Sequence, residues 1–165
     1  MAEGTKNSDL EIYLQDHHAG AVGAVQLLEH LVKAHEGEEL GAFFRELKAD
    51  VETDHEQLHN VMTALGFEES GVRNAGAWMA EKFGRVKLGF TEETENLLGL
   101  LQSLETIYLG ITGKRLLWRA LQVVRDSSAV LRQTDFALLE QRAIEQAERV
   151  ENKRLAVASR TLPPE

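Results

Sequence analysis

Apolar residues recur three and four positions apart along most of this chain and never alternate with polar ones long enough to make a strand, so the pattern predicts an all-α protein. Leu10, Tyr13, Leu14, Ala21, Ala24, Val25, Leu28, Leu31 and Val32 form a first stripe and predict a helix over residues 9–36. Ser8 with Glu11 three residues later is the signature of its capped start. Leu40, Phe43, Phe44, Leu47, Val51, Leu58, Val61, Met62 and Leu65 predict a second helix over 39–65, with Gly66 as its terminator. A third is expected over 94–124, opened by Thr91 with Glu92 and Glu93 behind it, because early acidic residues complement the helix dipole. After a polar stretch, 125–134, a fourth over 135–159 carries Phe136, Leu139, Ala143, Ala147 and Val150. Between the second and third, Val72, Ala75, Met79, Phe83 and Val86 mark a shorter amphipathic segment, 72–87, placed as a crossover helix. The two prolines, Pro163 and Pro164, interrupt none of these.

The 165 residues fit one domain, expected over 9–159 with flexible ends at 1–8 and 160–165. A net charge of −9 argues against nucleic acid and anionic membrane surfaces as partners. The absence of cysteine excludes disulfides and thiolate chemistry. With no apolar run of membrane-spanning length and no secretory pattern at the start, a cytoplasmic location is expected.

The segment 19–23, Ala-Gly-Ala-Val-Gly, is echoed at 109–113, Leu-Gly-Ile-Thr-Gly, and at the same offset Leu27, Leu28 and Leu31 correspond to Leu117, Trp118 and Leu121. This suggests a distant repeat of one helical hairpin, and glycines three apart within a helix read as sites of close helix packing. Four long helices connected as hairpin, crossover and hairpin resemble the ferritin-like architecture. The segments DHHAGAVGAVQLLEHL (16–31), AGAWMAEKFGRVKLG (75–89) and GITGKRLLWRAL (110–121) are similar to a family of uncharacterised bacterial ferritin-like proteins. That resemblance covers nearly the whole chain and implies a fold; no activity travels with it.

The di-iron version of that architecture takes a glutamate from each of two helices and Glu-x-x-His from the other two, all facing inward. Glu52-x-x-His55 and Glu56-x-x-His59 match in sequence. At about 100° per residue, however, Glu52, Glu56, Glu29 and Glu105 all fall at least about 90° from their apolar stripes, and all six histidines lie in the first hairpin. A complete di-iron site is therefore not expected. An alternative is a lopsided metal site for iron, manganese or zinc built from His17, His18, Asp54, His55 and His59, which antiparallel packing brings to one level; it would make the protein a metal-binding, hemerythrin-like member of the group or an oxidoreductase.

Titratable residues instead mark the buried stripes: His17 on the first helix, Asp54 on the second, Arg115 on the third. A buried charge without a partner costs several kcal/mol, on the order of 3–5, so Asp54 is expected to pair with Arg115, with His17 and Tyr108 attached. No catalytic residue stands out, and a structural, stress-related or partner-binding role is expected. Trp78, Met79 and Phe83 on the crossover segment form a candidate patch for a protein partner or a second copy of the chain.

Overall fold

The computed structural model describes residues 8–67 and 96–164, and every regular element among them is helical. Four long helices, α1 (Asp9–Ala34), α2 (Glu39–Ala64), α3 (Leu97–Val123) and α4 (Phe136–Thr161), match the expected elements to within three residues at each end. Between α3 and α4 the chain makes a 3₁₀ turn, Arg125–Ser127, and one helical turn, Ala129–Arg132, that buries Leu131.

Local chemistry sets the ends. The Glu11 N–H donates to Ser8 Oγ at 3.1 Å, as the capping pattern requires. Gly66 adopts φ of 77°, and Gly66 N–H and Phe67 N–H bond back to the carbonyls of Thr63 and Met62, closing α2 with a left-handed cap. The start of α3 differs from expectation. Asn96 Oδ1 accepts from Gly99 N–H at 2.8 Å and sets the boundary there, while Thr91 lies outside the described residues, as do the expected crossover helix 72–87 and Trp78, Met79 and Phe83. Asp135 caps α4 through Leu138 N–H.

The α1–α2 turn is compact because Gly37 takes φ of 84° and because Gly41 has no side chain: a Cβ there would lie 2.0 Å from the His35 carbonyl oxygen. α1 packs antiparallel on α2, and α3 on α4, around a core that includes Leu28, Phe44, Leu47, Leu104, Trp118 and Phe136. The Trp118 and Phe136 rings stack at 6.1 Å.

Across the two hairpins, Glu39 meets Lys153 at 3.1 Å, Asp50 meets Arg149 at 2.6 Å and Asp54 meets Gln146 at 2.8 Å. Numbers rise along α2 as they fall along α4, so these two helices are antiparallel. The pairs Glu105–Arg154 and Arg115–Glu140 show the same for α3 and α4. α2 and α3 therefore run parallel, and Phe67 and Asn96 stand at opposite ends of helices about 40 Å long. Among the described residues no helix is long and apolar enough to cross a membrane.

Candidate functional site

Asp54 lies on the row Val51, Leu58, Val61 of α2, all buried, so its carboxylate cannot reach bulk water and is 1 % exposed. Lys114 interrupts the buried row Ile107, Ile111, Trp118 of α3 in the same way, and Gln146 the row Leu139, Ala143, Val150 of α4. These three interruptions meet. Lys114 Nζ donates to Asp54 Oδ2 at 2.7 Å and to Gln146 Oε1, and Gln146 Nε2 donates to the same carboxylate oxygen at 2.8 Å. The amide thus joins both charged groups and closes a three-membered ring of hydrogen bonds linking three helices. On the other side, Arg142 Nη2 stands 3.1 Å from Asp54 Oδ1 as a charge contact without the alignment of a hydrogen bond. Burial pushes the Lys114 ammonium below the ordinary lysine pKa, and the neighbouring Asp54 charge works in the opposite direction.

The expected partner was one residue away. Arg115 is half-buried and turns to α4, with Nε 3.4 Å from Glu140 Oε1. The physical reason lies in α3, which is apolar over most of its circumference. Leu97 lies about five turns from Arg115 on the same line of the helix, so counting it as core draws the apparent stripe towards Arg115; Leu97 is exposed, and the buried row runs through Ile107, Ile111 and Trp118, beside Lys114. Tyr108 packs against the apolar core rather than bonding to Asp54, and its carbonyl accepts from Thr112 Oγ1. His17 is half-buried, in edge contact with the Tyr13 ring at 4.7 Å, whereas its neighbour His18 is buried. The His18 ring lies 4.5 Å from that of His55 and 6.5 Å from that of His59, so the first hairpin does gather histidines at one level. Among the described residues, no three His, Asp or Glu side chains are arranged to hold one ion. Glu29, Glu52, Glu56 and Glu105 are exposed, three of them in ion pairs with Lys33, Lys48 and Arg154.

Beside the Asp54–Lys114 pair, α1, α2 and α3 line a partly open cavity of about 100 Å³. Its walls are mostly apolar, and Gly20, Ala21 and Ala24 of α1 share it with Gly110 and Gly113 of α3. The repeated glycines were expected to draw helices together. Gly110 and Gly113 do the reverse, since a Cβ at either would meet nothing within 4 Å among the described residues. Missing side chains on facing helices leave a space that the backbones do not close. Lys114, Asp54, His17, His55 and Thr106 are its polar lining.

No protein-family model, curated protein or solved structure matches this chain.

Proposed function

We propose that this protein is a ferritin-like helical bundle that works without a di-iron centre, as a structural or partner-binding protein rather than a catalyst. The observation that carries this reading is what fills the interior at mid-helix: one carboxylate held by a lysine, a glutamine and an arginine, where a di-iron bundle would need several inward glutamates. Cations at those positions repel metal ions. The glutamates of the Glu-x-x-His segments point to solvent, which supports the same reading. Two antiparallel hairpins with parallel α2 and α3 are what the ferritin-like connection calls for.

A second reading, a metal-binding protein, is favoured by the packing of His18, His55 and His59. Elemental analysis of untagged, freshly purified protein separates the two. The expected result is less than about 0.1 equivalent of iron, manganese or zinc, unchanged after dialysis against each metal. A stoichiometric content that disappears in His18→Ala would overturn the proposal in favour of the second reading.

A further inference from the structure

Lys114 Nζ carries three N–H groups, and Asp54 Oδ2 and Gln146 Oε1 accept two of them. The third has no acceptor among the described residues, and Lys114 lines the cavity. Trp118, another lining residue, is fully buried and its indole N–H also has no partner among the described residues. Thr106 contributes no further donor, because its hydroxyl already donates to the Gln102 carbonyl. Asp54 is the sole acidic residue among the described residues of the cavity wall, and Lys114, Gln146 and Arg142 already share its carboxylate. An acceptor suited to an ammonium is what this end of the cavity lacks.

Apart from His17 and His55, the remainder of the described wall is apolar, built from residues such as Ala24, Leu28, Leu58 and Ile111. Its volume of about 100 Å³ is smaller than the roughly 150 Å³ of an engineered cavity that holds benzene, which favours a short aliphatic chain over an aromatic ring. We infer that the cavity between α1, α2 and α3 binds a short-chain aliphatic carboxylate, its oxygens on Lys114 and its hydrocarbon against the space left by Gly20, Gly110 and Gly113. The carboxylate accepts the third Lys114 N–H in a charge-assisted hydrogen bond, and the chain replaces water on apolar wall. This deepens the binding role proposed above and rests on it.

The test is titration calorimetry, with thermal unfolding alongside, of chelator-treated protein against butyrate and its neutral isostere butyramide. Butyrate is expected to bind at one site and raise Tm with concentration, at least tenfold tighter than butyramide. Lys114→Met should reduce that preference to less than twofold. Because losing Lys114 also disturbs the bundle, Gly110→Leu provides an independent arm: it occupies the open space, leaves the charged cluster intact, and should abolish butyrate binding in a protein that still unfolds cooperatively. Equal binding of butyrate and butyramide, retained butyrate binding in Gly110→Leu, or no butyrate binding to the wild type would each overturn the inference. Failure here leaves the metal-free reading standing, whereas stoichiometric metal overturns that reading whatever butyrate does.

Discussion

Asp54 is the residue whose removal should be felt most, because it is the common partner of Lys114, Gln146 and Arg142. Asp54→Ala leaves the Lys114 ammonium buried without its counter-charge, and the expected loss is about 3–5 kcal/mol by denaturant unfolding. Asp54→Leu combined with Lys114→Met removes both charges and should cost markedly less than the sum of the two single changes. A double-mutant cycle showing additivity would mean that the pair is not coupled. The pH dependence follows from Lys114. Its folded-state pKa is lowered by burial, so the unfolded chain holds the proton more tightly, and between the folded value and the ordinary lysine value of about 10.4 the unfolded state binds more protons. Stability contributed at this position therefore rises with pH through that window. Relative to Lys114→Met, the wild type should gain stability as pH is raised towards 10, and an unchanged or shrinking difference would contradict the assignment.

Within the helices, glycines at three positions serve opposite ends. Gly41 is required by its surroundings, since a Cβ would run into the His35 backbone carbonyl where α1 turns into α2. Gly41→Ala should destabilise by about 1–3 kcal/mol. Gly110 and Gly113 sit in mid-helix beside open space, where glycine costs about 0.5–1 kcal/mol relative to alanine. Gly110→Ala should consequently stabilise the fold by a similar amount, and the opposite sign in thermal unfolding would show that the space is not open in solution. Keeping glycines that weaken α3 is consistent with a cavity that is used. A similar logic runs through the caps: Ser8, Asn96 and Asp135 each bond to the backbone three residues on, fixing where the helices begin.

At the scale of the molecule, the two contacts between the hairpins are built differently. α2 and α4 are bridged by long charged side chains, Glu39–Lys153, Asp50–Arg149 and the Asp54 cluster, while α1 and α3 meet across small residues and a cavity. Arg149 and Asp50 are each more than a third exposed, so water and salt screen their attraction. Arg149→Gln should cost less than about 1 kcal/mol, a difference that vanishes at 0.5 M salt, whereas the cost of Asp54→Ala should persist there. Of the charged links between the hairpins, the Asp54 cluster is thus the one shielded from water. Stripe periodicity, capping residues and glycine stops made the four long helices, their boundaries other than the Asn96 start of α3, and the burial of Asp54 legible in the sequence, because each depends on residues within a turn or two of one another. The sequence also showed that Glu29, Glu52, Glu56 and Glu105 face outward. What it could not fix was the partner of Asp54: on α3, apolar nearly all round, a rotation of one residue separates Lys114 from Arg115, and only packing against α4 decides which turns inward. The same holds for His18 over His17, and for glycines that open a space instead of closing one. Local pattern determines which residues are helical and which face is apolar; the rotation and separation of helices depend on side chains far apart in the chain, and tertiary structure alone decided them.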